Sequence, residues 1–514
     1  MRALLPLRAR SPATRRNAGH GDEIDKGIEP AIRVVAQPTV QFCADREHRP
    51  GRRQRGGPDR DGPRSADRPA ARSVRSGRRG NGRISMRTAP NAEPRRIWRR
   101  SFLSAGTCIL GAALLNACSA NDNSVMIEQA GARVQGLQGS DKRTQFRRLV
   151  KCGSSILYVA GWGADDNDGS AEHPFREISA AIQLAQPGTL ILVDSGVYGR
   201  VDVQDFRGQP DSWLGIMTVN DQVRAYITVP PPTDSFVNVI GSSYVGLYGV
   251  EIVGDQKNPN TNCSGIAVYG NSHHIALWAN SVHDFPAGGI NCFDADGSHD
   301  MVDASYNRIY RTSRYSPNNT SGISIFAPRD LTSRDSFPGG YGYRLVGNYI
   351  YNILCTMPFL PGGYDFVTDG NGVSLDKVLT SYGYRKPILV RDNIITGCGG
   401  RAIHAYQTIN VDAYNNTVIG NLRTKSPAIS GGAEIDGTIE GGVSCVSNVI
   451  CPLNTPNSTD RVSKYRENVI LGGTQTVPPG NIDLRNEGLH YFAGPVTRKV
   501  LIAGSTGLSP FARS

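Results

Sequence analysis

Five short pulses in the second half of the chain share one alternation of apolar and polar positions: SGIAVYG (264–270), GGINCFD (288–294), SGISIFA (321–327), NGVSLDK (371–377) and RAIHAYQ (401–407). Taking the third residue of each as position zero, zero and plus two are Ile266/Val268, Ile290/Cys292, Ile323/Ile325, Val373/Leu375 and Ile403/Ala405. A strand turns successive side chains to opposite faces. These pairs therefore predict one inward face, and the residues at plus one and plus three predict an outward face. The outward plus-three column reads Tyr269, Phe293, Phe326, Asp376, Tyr406.

A second pattern interleaves with the first. Asn followed by x-Ile or x-Val recurs at 280, 307, 348, 393, 416, 448 and 468. Spacings of twenty to forty-odd residues with short β-rich pulses predict a solenoid, because no single unit can bury its own apolar face. Asparagines recurring at one turn would stack as a hydrogen-bonded ladder. The strands are short, Gly-bounded and too close in sequence for crossover helices, which favours parallel stacking of coils. Ahead of them, Pro174 marks a helix start, and Phe175, Ile178, Ile182 and Ala185 share one face before Pro187-Gly188 ends it. The expected architecture is all-β: a parallel β-helix from about 189 to 470 whose first coil is capped by an α-helix near 174–186.

The amino terminus is different in kind. Residues 1–85 are crowded with Arg, Gly and Pro and lack a hydrophobic period, a composition that cannot offset chain entropy. They read as a mis-assigned or disordered basic segment, with Met86 as the start. Arg99-Arg100-Ser101-Phe102-Leu103 resembles a twin-arginine export signal, followed by an apolar run, and Leu115-Asn116-Ala117-Cys118 resembles a bacterial lipobox. Residues 86–117 are thus expected to be a signal peptide and Cys118 a lipidation site, making the mature chain an exported outer-membrane lipoprotein, periplasmic or at the cell surface. After it come a linker (118–154), a lead-in segment with the capping helix (155–188), the β-helix (189–470) and a carboxy-terminal cap or tail (471–514).

This division changes the charge argument. The whole chain carries +11, but residues 1–117 hold 25 Lys and Arg against 10 Asp and Glu, which is +15, leaving −4 for the remainder. The basic balance therefore gives no reason to expect a nucleic-acid partner, and membrane association is expected only through the lipid. Seven further cysteines follow Cys118; Cys445 and Cys451 are near enough to pair locally, and no spacing is a metal signature.

GWGADDNDGSAEHPFREISAAIQLAQPGTLILVDSGVYG (161–199) resembles the opening segment of secreted right-handed parallel β-helix proteins of the pectate-lyase (pectin-lyase-like) superfamily, and the later pulses resemble their coils. The resemblance covers roughly 155 to 470. It implies a polysaccharide partner, acidic in the lyase branch that uses calcium and a lysine base, and a monomeric protein. RKPILVR (385–391) has one residue more than the Arg-x-Pro-x-x-Arg of one such branch, and the signatures of the galacturonan hydrolases are absent from the mature chain.

Cleaving a uronate polymer by β-elimination requires a cation on the sugar carboxylate, a base and support for the leaving oxygen. Asp369, Asn371 and Asp376 offer oxygens suited to calcium, with Asp294 and Asp296 as a second pair; the alternative is that such residues only make turns. Lys377 is a candidate base or a solvated partner of Asp376. Arg401 and His404 open the next pulse, with His404 directed outward beside Ser374. Tyr269, Phe293, Phe326 and Tyr406 are candidate sugar platforms, unless the insertions 327–342 or 354–368 fold over them. The function expected is a polysaccharide lyase. The alternatives are a non-catalytic glycan-binding or structural envelope protein and a glycoside hydrolase.

Overall fold

The computed structural model describes residues 139–293, 298–379 and 383–485. Its strands form three parallel sheets, each built from one strand per coil. A representative coil runs through Ile323–Phe326 on the front sheet, Tyr343–Val346 on the side sheet and Tyr349–Tyr351 on the rear sheet. The front sheet has eight strands, from Val201–Gln204 to Ile435–Gly437, and the side and rear sheets have eleven each. The fold is a parallel β-helix. It begins earlier and ends later than expected, from Ser155–Val159 to Ile482–Asp483.

The inward column is continuous. Val201, Val237, Ile266, Ile290, Ile323, Val373, Ile403 and Ile435 are register neighbours in that order, and all are buried. Each contributes about 1.5–3 kcal/mol relative to exposure. The residue just before it explains the glycines of the repeat. A Cβ on Gly265, Gly289, Gly322 or Gly372 would lie 2.7–2.8 Å from a backbone oxygen of the next coil. The chain enters the front sheet at a corner where coils nearly touch, so only a very small residue fits.

Between side and rear strands lies the asparagine turn. The residue before each ladder asparagine is left-handed: Ala279, Tyr306, Gly347, Asp392, Asn415, Ser447 and Glu467. This aims the asparagine into the coil. From Asn307 onward each Oδ1 accepts from the backbone and side-chain nitrogens of the preceding asparagine, as between Asn307 and Asn348 at 2.9 and 3.2 Å. The ladder runs from Asn280 to Asn468 and continues to Asn481.

Two helices precede the main stack. α1 (Gly139–Val150) falls within the segment expected as a linker and lies on the outer face of the side sheet. There Phe146 and Val150 pack with Leu190, Met217, Tyr248, Trp278 and Tyr306. α2 (Ile178–Leu184) is shorter than expected and packs on the first coil, with Ile178 and Ala181 buried. Among the described residues the seven cysteines form no disulfide, so Cys445 and Cys451 are not joined; they sit on side and rear strands. Cys118, the signal segment and the basic segment 1–85 lie outside the described residues.

Candidate functional site

The outward face of the front sheet brings most of the expected residues together. Register pairs Phe326 with Asp376 and Asp376 with Tyr406, while Ser324, Ser374, His404 and Asp436 form the neighbouring column. Strand spacing puts members of a column about 4.8 Å apart per step. Farther up the first column, Tyr269 and Phe293 stack on each other, with ring centroids 4.9 Å apart. Asp294 and Asp296 lie outside the described residues.

His404 is held from the next coil. Its Nδ1 is 2.5 Å from Asp436 Oδ1. Arg401 Nε donates to Asp436 Oδ2 at 2.6 Å, and Arg401 Nη2 donates to the Ala428 carbonyl at 2.7 Å. Burial opposes the charge on Asp436, but His404 and Arg401 outweigh it and hold the carboxyl below its usual value. Facing an Asp436 anion, Nδ1 is the donor of this pair, and Nε2 is the ring nitrogen on the far side from Asp436.

Asp369 and Asp376 behave in the opposite way. Each keeps an edge open to solvent. Burial raises Asp376, and the Asp369 charge raises it further, to about 7 against the pull of His404 and Lys377. Asp369 is also raised, mainly by burial. Burial and the neighbouring Asp369 charge thus both favour the protonated form of Asp376.

Among the described residues, Asp369, Asn371 and Asp376 turn oxygens to partners within the protein. Asp369 accepts Thr368 Oγ1 at 2.7 Å and Asn371 Nδ2 at 2.7 Å. Asn371 is buried, and its Oδ1 accepts the Arg401 backbone N–H at 2.8 Å. Asn371 therefore ties two coils together and offers no free oxygen. Among the described residues no group of three or more His, Cys, Asp or Glu side chains could share a metal ion. Asp369, Asn371 and Asp376 fit calcium poorly.

Lys377 has a φ of 57°, but Ala327 and Gln407 occupy the same corner after their strands with φ of 48° and 47°. Its backbone is thus a property of the coil and not strain particular to the site. Its Nζ lies 5.4 Å from the Phe326 ring centroid, a cation–π contact. Tyr406 is 44 % exposed, with its ring centroid 6.3 Å from that of His404. The insertion 354–368 borders this face, with Asn319 Oδ1 accepting the Thr368 N–H and Ser426 Oγ donating to the Val367 carbonyl. The insertion 327–342 instead lies against the side sheet, where Tyr341 donates to Asp412 and Thr332 to Asp300.

Asp436 was not among the residues expected from sequence. Its strand, Ile435–Gly437, follows the same alternation but ends in glycine at plus two where the earlier pulses are apolar. Extending the register one coil would have found it beside His404.

No protein-family model matches the chain, and no curated protein matches it. Among solved structures it is similar to pectate lyase Pel9A, at 16 % identity and a TM-score of 0.42 over 66 % of this chain and 85 % of that one. It is also similar to a rhamnogalacturonan lyase, at 12 % identity and 0.35 over 65 % and 92 %. A third is the GH136 lacto-N-biosidase from Eubacterium ramulus, at 15 % identity and 0.40 over 68 % of each chain. These are likenesses of winding, and no site residue is carried over from them.

Proposed function

We propose that the chain is a carbohydrate-active enzyme that breaks a glycosidic bond in a uronate-containing polymer by β-elimination, over the front sheet around Asp376 and His404. One juxtaposition carries the reading. A carboxyl flanked in its column by Phe326 and Tyr406 stands beside a histidine anchored by Asp436 and Arg401. Elimination needs a base for the proton beside the sugar carboxylate and an acid for the leaving oxygen. His404 Nε2 takes that proton. The electron pair of the C–H bond forms the new C=C bond, and the C–O pair leaves on the oxygen. Asp376, protonated up to about pH 7, supplies that oxygen with its proton. Lys377, next in sequence, offers positive charge to the sugar carboxylate, and the aromatic rings support sugar faces.

A second reading is hydrolysis, favoured by the Asp369 charge that helps to raise Asp376, since two carboxyls in one site can protonate a leaving group and activate water. Incubating the purified protein with polygalacturonate and alginate separates the readings. Elimination predicts rising ultraviolet absorbance from the unsaturated product. New reducing ends without absorbance would indicate hydrolysis. Binding without either would indicate a glycan-binding protein. Activity is expected to persist with a chelator, and its loss would restore calcium to the mechanism.

Tyr406→Ala is expected to raise KM about fivefold with kcat nearly unchanged, the effect of losing roughly 1 kcal/mol of stacking. A fall in kcat at constant KM would remove Tyr406 from the role of platform.

A further inference from the structure

The outer face of the side sheet changes character along its length. Upstream it is apolar and covered by α1 through Phe146 and Val150. Downstream the same face is charged. There a cleft of about 600 Å³, within the range of small-ligand sites, lies between the sheet and residues 338–341 of the insertion. Its floor holds Arg344, Arg391 and Arg466, with Asp412 and Tyr414 among them.

Register orders these groups. Arg391, Tyr414, Val446 and Arg466 are successive neighbours in one column, and Leu389, Asp412 and Ser444 in the next. Two of the guanidinium groups are anchored from beneath. Arg344 Nη1 donates to buried Asp303 at 3.0 Å, and Arg391 Nε donates to buried Asp392 at 3.1 Å. Each spends one of its five N–H donors this way, so its orientation is fixed while others remain. Asp412 is likewise fixed, by the Tyr341 hydroxyl at 2.9 Å. Tyr414 is 44 % exposed.

We propose that this cleft is a second glycan-binding site, apart from the acid–base site on the front sheet, and that it takes an acidic saccharide. Guanidinium groups bind carboxylates in a two-pronged manner. The Tyr414 ring can stack on a sugar face, and Asp412 can accept sugar hydroxyls. A row with charge at both ends and an aromatic ring between matches a ligand that repeats carboxylate and ring along its length. Each arginine already has a carboxylate partner, Arg466 with exposed Glu467 at 3.5 Å, so an acidic ligand is favoured through the N–H donors these pairs leave over, which a neutral glycan would meet without charge assistance.

The test is affinity electrophoresis of the full chain in native gels containing polygalacturonate, alginate or neutral dextran, which needs no turnover and is independent of the proposed reaction. The wild type should be retarded by at least one acidic polymer and not by dextran. The double variant Tyr414→Ala/Arg466→Ala changes two exposed side chains and should keep its melting temperature and kcat. It should lose about tenfold in apparent affinity for the acidic polymer, whereas Asp376→Asn should not. Unchanged retardation of the double variant, equal retardation by dextran, or no retardation of the wild type by either acidic polymer would each overturn the proposal.

Discussion

Asp376→Asn is expected to reduce kcat by about 10²–10⁴-fold, the usual contribution of a positioned general acid, while substrate affinity changes little. Asparagine keeps the shape but has no acidic proton to give. In the wild type the donor must be protonated, and its pKa is about 7. The rate should therefore fall as pH rises through that value. The stability effect has the opposite direction to the activity effect. The folded pKa is raised from 3.8 to about 7, so between those values the folded state binds more protons than the unfolded chain, and stability falls as pH rises. Asn cannot ionise and avoids that loss. The variant should thus be inactive yet melt higher than wild type at about pH 8. A variant that keeps its activity, or that melts lower at that pH, would remove Asp376 from the acid's role.

The fold was legible because its two periods survive variable insertions. Ile266, Ile290, Ile323, Val373 and Ile403 were placed in one column by period-two alternation alone, and they are register neighbours. The neighbourhood of Asp376, His404, Phe326 and Tyr406 followed from the same register. What the register does not carry is direction within a loop. Asn371 looks like an oxygen ligand in sequence, yet the corner before Val373 turns its amide toward Asp369 and Arg401. The insertion 327–342 was equally readable as a front wall, but buried Asp300 binds Leu331, Thr332 and Lys386 and fixes it to the side sheet. α1 is not legible because GSDKRTQFRRLV is mostly polar; its few apolar residues find their partners far away, on five successive coils of the side sheet.

Asn348→Ala is expected to cost about 3–5 kcal/mol of unfolding free energy. The side chain is buried and makes four hydrogen bonds. Its Oδ1 accepts from Asn307 N and Nδ2 at 2.9 and 3.2 Å, and its Nδ2 donates to the Ala304 carbonyl and Asn393 Oδ1 at 2.9 and 3.0 Å. Alanine would leave the Asn307 backbone N–H and the Ala304 carbonyl without these partners, away from water, at about 1–3 kcal/mol for each unsatisfied group. That places the change among the severe single substitutions. Asn348→Asp supplies a sharper comparison. It keeps an acceptor for Asn307 but loses both donated bonds, and it sets a carboxylate oxygen against two acceptors, so it should cost at least as much as alanine near neutral pH. Asn481→Ala, at the partly exposed end of the ladder, removes fewer buried partners and should cost less than half as much. Denaturant titration of the three variants decides the matter. If Asn348→Ala and Asn481→Ala cost the same, or Asn348→Asp is tolerated, the ladder is a passenger and the stacked apolar columns alone hold the coils in register. If the expected order holds, the loss should be local as well as large. A solenoid is joined only through neighbouring coils, so hydrogen exchange in Asn348→Ala should rise first in the coils of Asn307 and Asn393 and leave the ends of the stack protected.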